Sequence, residues 1–413
     1  MKAIKQFISS IFGNEGTPPG VKALTAVTSI RWIGWGFAES LVPVFLFSFG
    51  NSYAEAGMLQ STYIVALILS LPVLGILADR IRATTLVAIG LVLYVFIGVS
   101  YFLAGLTGLV LYVVIARAIN GVAYGMDTIG RDTYFRRNVV YNKVATAFGY
   151  QDTITNFWWI AASLSGIVLV KFFSIPQLLL MIAPFALIAL LVLMRFRKRD
   201  TSEVTRVNTS QLKPALVASS LPKFSWALRG VAVTYFFISF ASAVVMFFVP
   251  IQAYAEGASL SLIILMGVVI TLPMLFGLSF GRLFNRKGHR IFPYGIGIFA
   301  LLILGLAFFQ TYAWQLVFVF LIALAQEFLV VSYQELVTVH SVPEHYGKTS
   351  GILRSLTNIG NLTGPLVVGT MMDQYGTRMP YIVLSVVMLF LAFVFWYVQK
   401  RAHREVEAVI KQA

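Results

Sequence analysis

Apolar residues along this chain fall into twelve long runs that alternate with short polar segments. Each run has about 20 residues, the length that an α-helix needs to cross the hydrocarbon core of a bilayer. The pattern therefore predicts an all-α membrane protein with twelve spans, numbered 1 to 12 in chain order. The spans cover residues 23–49, 55–78, 84–104, 108–127, 144–170, 174–194, 228–250, 259–281, 291–310, 313–338, 349–371 and 379–398.

The composition excludes a soluble globular protein. Hydrophobic residues make up 59% of the 413 residues and charged residues 11%, whereas soluble domains average about 45–50% apolar and about 25% charged residues. The chain has no cysteine, so no disulfide framework and no thiol chemistry are expected. Its four histidines lie in or beside loops without the spacing of metal ligands, and neither a metal nor a cofactor is expected.

Positive charge is concentrated at the termini and in every second loop. The formal net charge is +15, yet the remaining loops hold only Lys171 and Arg378. This asymmetry follows the positive-inside rule and predicts that both termini lie in the cytoplasm. Membrane topology therefore accounts for the net positive charge of the chain, and no nucleic-acid partner is expected. We expect a multi-pass protein whose partner is the lipid bilayer, most simply the inner membrane of a prokaryote.

Two charged loops about two hundred residues apart resemble each other, which is the mark of an internal repeat. Residues 75–82 follow span 2 and residues 281–290 follow span 8; aligned on their first glycines, they pair Asp79 with Asn285 and Arg80 with Arg286. The Thr-Asn pairs at 155–156 and 357–358 give a second correspondence. We predict an N-terminal interfacial segment (1–20), an N-terminal six-helix half (21–195), a cytoplasmic linker (196–225), a C-terminal six-helix half (226–399) and a cytoplasmic tail (400–413).

These features resemble the major facilitator superfamily over essentially the whole chain. The signature of that family after spans 2 and 8 is Gly-x-Leu-x-Asp-Arg-x-Gly-Arg-Arg. The first loop matches it at Gly75, Leu77, Asp79 and Arg80 but has Arg82 in place of the glycine; the second keeps Gly281, Leu283, Arg286, Gly288 and Arg290 but has Asn285 in place of the acid. Arg117 with Gly121 and Gly125 is similar to the span-4 motif of many proton-coupled members. The Gly-Pro motif that drug antiporters carry in span 5 is absent from residues 162–166.

The resemblance implies the major facilitator fold, two pseudo-symmetric six-helix bundles. It implies that spans 1, 4, 7 and 10 line a central cavity. It also implies that spans 2 and 11, and spans 5 and 8, meet across the two halves. Gly121 and Gly125 form a small-xxx-small face that suits close helix packing.

Ionisable side chains near mid-membrane are the first candidates for mechanism, because each costs at least ~2.5–3.5 kcal/mol to insert. The proton-coupling candidates are Glu39, Glu327, Arg117 and Asp127. An acid in a low-dielectric cavity holds its proton, and a nearby cation helps to release it. The alternative for each acid is a permanent ion pair or hydrogen bond. Arg117 could pair with Glu39 or bind an anionic group of the substrate, and Arg31 could extend to the cytoplasmic surface.

Polar and aromatic residues on the same spans could bind a substrate by stacking and hydrogen bonding. The substrate-cavity candidates are Arg31, Trp32, Trp35, Asn120, Tyr124, Tyr235, Gln326 and Glu335.

A third group lies at the cytoplasmic ends of spans 2, 5, 8 and 11, where the two halves are expected to meet. Asp79 facing Arg354, and Asp152 facing Arg282 or Arg286, would form two latches that close the cytoplasmic side. Such an arrangement explains how Asn285 can replace the acid in the second loop. The alternative is a structural role within each half. The residues assigned to the latches are Asp79, Arg80, Asp152, Arg282, Asn285, Arg286 and Arg354.

The sequence favours a secondary transporter that works by alternating access, coupled to protons, and exports an amphiphilic or drug-like small molecule. Uptake of a small polar or anionic metabolite, lipid flipping, and a transporter-like receptor stay open. An enzyme is not expected, because no nucleophile–base–acid set and no phosphate-binding loop is present. We expect a monomer with a small-molecule substrate and protons as partners.

Overall fold

The structure is a computed structural model that describes residues 18–50, 52–139, 144–198, 226–276, 280, 291–309, 311–340 and 346–412. Within these ranges the side chains of 79, 136, 144–146, 226–228, 276, 334–335, 337–340, 346–354, 398–399 and 401–412 are not described. The described residues are almost entirely helical, and none of them belongs to a β-strand.

Fourteen α-helices are present in the described ranges. They are α1 (Pro19–Gly36), α2 (Val42–Phe49), α3 (Tyr53–Arg80), α4 (Ala83–Thr107), α5 (Val110–Asn138), α6 (Val144–Leu169), α7 (Ile175–Leu180), α8 (Ile182–Arg197), α9 (Trp226–Ala255), α10 (Leu260–Thr271), α11 (Phe292–Phe308), α12 (Tyr312–His340), α13 (Tyr346–Tyr375) and α14 (Met379–Gln412). Short 3₁₀ turns at Glu39–Leu41 and Leu272–Phe276 follow α1 and α10.

Every predicted span falls on one of these helices, and spans 1 and 6 are each divided between two. Among the described residues, seven helical segments are long and apolar enough to cross a membrane, one of them Ile175–Arg197, which comprises α7 and α8. An eighth span is obtained if the bent pair Pro19–Gly36 and Glu39–Phe49 is counted as one. The short apolar segments Leu260–Leu275 and Phe292–Phe308 correspond to spans 8 and 9.

The helices extend further than the hydrophobic pattern predicts at two places. Helix α5 continues through Arg131 to Asn138, where a loop was expected, because its polar last turns pack against other helices. Helix α14 continues from the last span to Gln412 without a separate tail helix. The predicted interfacial segment before residue 18 and most of the predicted linker, from 199 to 225, lie outside the described residues.

Helix ends follow local sequence rules. Pro19 begins α1, where its fixed φ suits the first helical turn and its missing N–H costs nothing. Gly108 ends α4 with a φ of 69°, a left-handed conformation that residues with a Cβ rarely adopt.

The described residues pack as two compact units. Unit 1 comprises the described residues of 18–49, 59–198 and 259–268, and unit 2 comprises those of 50–58, 226–258 and 269–412. In unit 2, α9 packs on α13 and α11 packs on α14 and α12. In unit 1, α4 packs on α5 and α8, and α1 packs on α6 and α8.

Residues 50–58 belong to unit 2 although their neighbours in the sequence belong to unit 1, and residues 259–268 belong to unit 1 although their neighbours belong to unit 2. Hydrogen bonds explain both assignments. In unit 2 the Asp373 carboxylate accepts hydrogen bonds from the backbone N–H groups of Tyr53 (3.0 Å) and Ala54 (2.9 Å), which begin α3. In unit 1 the Ser261 hydroxyl donates to the Ile167 carbonyl of α6 at 3.0 Å. These contacts join spans 2 and 11 and spans 5 and 8, the pairs that the family resemblance implies.

Helix α5 lies unusually close to α3 because glycine faces the contact. A Cβ at Gly121 would lie 2.3 Å from the Tyr63 carbonyl oxygen, and a Cβ at Gly125 would lie 2.8 Å from Leu74. The structure therefore confirms the small-residue face. This close approach brings Arg117, one turn before Gly121, to the side of α3.

Candidate functional site

The site is built around a break in the first span. Helix α1 ends at Gly36, and the chain resumes as a 3₁₀ turn at Glu39 after Ala38 adopts φ −144° and ψ 4°. The two parts of the span are bent by 43°. The freed carbonyl of Gly36 accepts a hydrogen bond from the Ser163 hydroxyl of α6 at 2.9 Å. Backbone irregularity at membrane depth is tolerated where it is satisfied in this way and lines a cavity.

A cavity of about 300 Å³ lies beside this break, at the small end of the range for ligand pockets. All of its lining residues belong to unit 1. They are Arg31, Trp32, Trp35, Glu39, Val42, Pro43, Gln60, Tyr63, Tyr94, Arg117, Asn120 and Tyr124. The lining thus combines five aromatic rings, two guanidinium groups, one carboxyl group and two amides.

Arg117 enters the cavity from α5 with 4% of its surface exposed. Its Nη2 donates to the backbone oxygen of Gln60 at 3.2 Å and also to the side-chain oxygen of that residue. The guanidinium lies 4.8 Å from the ring centroid of Tyr63. Its Nε has no hydrogen-bond partner, and no carboxylate of the described residues lies within salt-bridge distance. The groups in direct contact with this guanidinium are therefore uncharged.

Arg31 is neutralised by a neighbouring acid. Its Nη2 lies 3.1 Å from Oδ2 of Asp127, and the two side chains are 2% and 1% exposed. Arg131, one turn further along α5, contacts the same oxygen at 3.2 Å. The Arg31 guanidinium also lies over the rings of Trp32 (4.7 Å) and Tyr94 (4.6 Å). The interpretation that Arg31 extends to the cytoplasmic surface is therefore wrong, because a buried carboxylate and two ring faces hold it inside.

Glu39 has a different partner from the one considered in the sequence. The indole N–H of Trp159 on α6 donates to Oε2 of Glu39. Glu39 and Arg117 both line the cavity, but they form no salt bridge with each other. Trp159 can reach Glu39 because α1 and α6 approach closely at Gly36. A Cβ at Gly36 would lie 2.8 Å from the Trp159 carbonyl oxygen.

Residues 24–412 match the model of one protein family, described as the Major Facilitator Superfamily, in two overlapping segments, 24–353 and 231–412. The chain belongs to this superfamily. It is therefore a multi-pass membrane transporter and not an enzyme.

Other superfamily members are similar to parts of the sequence or to the fold. Multidrug resistance protein MdtG of Serratia proteamaculans (strain 568) is 30% identical over 153 residues, which are 35% of this chain and 37% of that protein. The matched segment thus spans little more than a third of the relative. Among solved structures, a bacterial homologue of the human lysosomal transporter Spinster has a TM-score of 0.70 at 15% identity, covering 94% of this chain and 98% of that one. The nucleoside transporter NupG has a TM-score of 0.70 at 18% identity, covering 93% and 100%. At these identities the structures show a shared fold alone.

Seven of the predicted site residues line the unit-1 cavity of this superfamily member. They are Arg31, Trp32, Trp35, Glu39, Arg117, Asn120 and Tyr124. Asp127 lies behind the cavity wall as the counter-ion of Arg31. Spans 1 and 4 therefore contribute as the resemblance implies.

The predicted residues of the C-terminal half lie in unit 2. Tyr235 on α9 stacks on Tyr333 of α12, with ring centroids 3.5 Å apart. Glu327 and Gln326 are half-buried on α12, and Oε1 of Gln326 has no hydrogen-bond partner among the described residues. The side chain of Glu335 lies outside the description.

The cytoplasmic latches stay a prediction. Arg282, Asn285 and Arg286, and the side chains of Asp79 and Arg354, lie outside the described residues. The side chains of Arg80 and Asp152 are described and exposed.

Several cavity residues were not found from the sequence. Gln60 and Tyr63 come from span 2 and Tyr94 from span 3, neither of which the resemblance assigns to the cavity. Trp159 was also missed, because an aromatic residue in an apolar run gives no sign that its N–H has a functional partner. The one available signal was Gln60, an amide within a long apolar run. No cluster of three or more metal-ligating side chains occurs among the described residues.

Proposed function

We propose that this transporter exports an amphiphilic small molecule in exchange for protons, with Glu39 as the proton-binding group. The observation that carries the proposal is the position of Glu39: it is the acid that lines the unit-1 cavity, and it stands at the break of the first span. Discontinuous helices commonly form the substrate and ion sites of secondary transporters.

The surroundings of Glu39 suit reversible proton binding. An N–H donor such as Trp159 and nearby positive charges such as Arg31 and Arg117 favour the ionised form of an acid, whereas low-dielectric surroundings favour its protonated form. A small movement of any of these groups changes the balance. Asp127 is less suited to this task, because Arg31 and Arg131 already occupy its carboxylate and it does not line the cavity.

The aromatic lining supports an amphiphilic substrate. Trp32, Trp35, Tyr63, Tyr94 and Tyr124 offer flat apolar surface with polar edges, which stacks on ring systems of varied shape. The similarity to a multidrug resistance protein over about a third of the chain favours export as the direction.

Proton movement in proteoliposomes tests this function. The purified full-length protein is reconstituted with a pH-sensitive dye inside, and a panel of fluorescent amphiphiles is added. Exchange predicts that protons move opposite to the solute. Glu39→Gln should abolish the solute-dependent proton movement, because an amide cannot bind the proton, whereas the matched control Glu256→Gln removes an exposed carboxylate and should retain it.

The other outcomes separate the alternatives. Protons that move with the solute indicate coupled uptake. Binding without solute movement indicates a receptor. Proton movement that persists in Glu39→Gln removes Glu39 from the coupling mechanism.

A further inference from the structure

The unit-1 cavity contains one guanidinium charge, that of Arg117, which forms no ion pair with a described side chain. Arg31 and Arg131 share the Asp127 carboxylate, while Arg117 is held by the neutral side chain and backbone of Gln60. Glu39, the other acid at the cavity, is bonded to Trp159.

Burial makes this charge chemically significant. Arg117 is 4% exposed, and burying a guanidinium without a counter-ion costs free energy of folding. Its Nε has no hydrogen-bond partner among the described residues. A planar guanidinium with a spare donor is suited to the oxygen atoms of a carboxylate, sulfonate or phosphonate.

The tyrosine ring beside Arg117 indicates which chemical group could accompany the anionic group of the ligand. The Tyr63 ring lies against the Arg117 guanidinium. The Tyr124 ring packs edge-to-face on the Tyr63 ring, with the two ring centroids 6.1 Å apart. Both rings line the cavity. An aromatic group of the ligand can therefore contact tyrosine rings while its anionic group binds Arg117.

We propose that Arg117, positioned by Gln60, is an anion subsite, and that the substrate is an amphiphile with an aromatic group and a negatively charged oxyanion. This inference rests on the proposed function, whose site it shares, and it names the chemistry of the molecule carried.

Two matched probes test the subsite by equilibrium binding. The full-length protein in detergent is titrated calorimetrically with 2-naphthalenesulfonate and with 2-naphthylmethylammonium, which share a ring system and differ in charge. The wild type should bind the sulfonate about tenfold to a hundredfold more tightly, since a hydrogen bond between charged groups is strong. Arg117→Gln should remove this preference. Arg229→Gln, which removes an exposed arginine of unit 2, should preserve it.

A second variant keeps the test decisive if Arg117→Gln does not fold. Gln60→Glu is nearly isosteric and places a carboxylate where the amide now accepts from Arg117. It should neutralise the subsite with the arginine in place, and weaken sulfonate binding about tenfold or more without weakening ammonium binding.

Equal affinities for the two probes in the wild type, no detectable sulfonate binding, or unchanged sulfonate binding in Gln60→Glu would overturn the anion subsite. These measurements involve no gradient and no transport. The anion subsite can therefore fail while proton exchange through Glu39 stands, and the reverse also holds.

Discussion

Loss of the Asp127 carboxylate should destabilise the transporter strongly, because it leaves two arginines without a counter-ion. Asp127 and Arg31 are 1% and 2% exposed and 3.1 Å apart, and Arg131 lies 3.2 Å from the same oxygen. Removing one partner of such a buried pair typically costs about 3–5 kcal/mol. Arg131 is 13% exposed and can turn toward solvent. We therefore expect Asp127→Leu to cost about 3 kcal/mol, at the lower end of this range.

A double-mutant cycle separates the charge effect from lost packing. Arg31→Met combined with Asp127→Leu removes both charges and keeps apolar volume, and such replacements are often neutral. The double variant should therefore be about 2 kcal/mol more stable than the sum of the single effects predicts, a coupling within the range for contacting residues. The free energy of unfolding is measured by titration with a denaturing detergent. Glu256→Gln, which changes an exposed acid, serves as the control and should shift stability by no more than about 0.5 kcal/mol.

Two results would refute the reasoning. Asp127→Leu could cost less than about 1 kcal/mol, the worth of an exposed ion pair. Alternatively, the double variant could be as unstable as the two single variants added together, which would mean that Arg31 and Asp127 do not interact.

Two further predictions use matched pairs of variants. Gly121→Ala should destabilise the protein by about 1–3 kcal/mol because its Cβ would meet a backbone oxygen at 2.3 Å, whereas Gly149→Ala, which meets nothing within 4 Å, should be neutral or slightly stabilising in the same unfolding titration. Equal effects at the two glycines would contradict the close approach of α5 to α3. Trp159→Phe should lower proton-coupled transport about tenfold by removing the donor to Glu39, while Trp158→Phe, at a side chain that is 43% exposed, should not. Unchanged transport in Trp159→Phe would show that the indole does not position Glu39.

The positions of the described helices could be predicted from the sequence because a bilayer imposes a simple rule. Each helix must carry about 20 apolar residues, and the polar segments between them mark its ends. Where polar residues continue a helix beyond the apolar run, as at Arg131 to Asn138 in α5, the rule gives no boundary. The break at Ala38 was equally hidden, since the proline of this span, Pro43, lies beyond it.

The sequence predicted many of the residues that form the site, but it did not predict which of them contact each other. Ionisable groups in apolar runs are conspicuous, so Arg31, Glu39, Arg117 and Asp127 were found. Their pairing depends on which helix faces approach, and Arg31 and Asp127 are separated by 96 residues. Neutral partners such as Gln60 give a weak signal, although the structure shows that it holds Arg117.

The most direct test of the central claim, that the unit-1 cavity is the binding site, is labelling of one introduced cysteine. The chain has no native cysteine, so Tyr124→Cys supplies a single thiol in the cavity lining. A negatively charged methanethiosulfonate reagent should label it faster than a positively charged one, abolish transport, and be excluded by bound 2-naphthalenesulfonate. Leu191→Cys, at an apolar side chain that is 70% exposed, should show none of these effects. A thiol at 124 that cannot be labelled, or whose labelling leaves transport and ligand binding unchanged, would contradict the account.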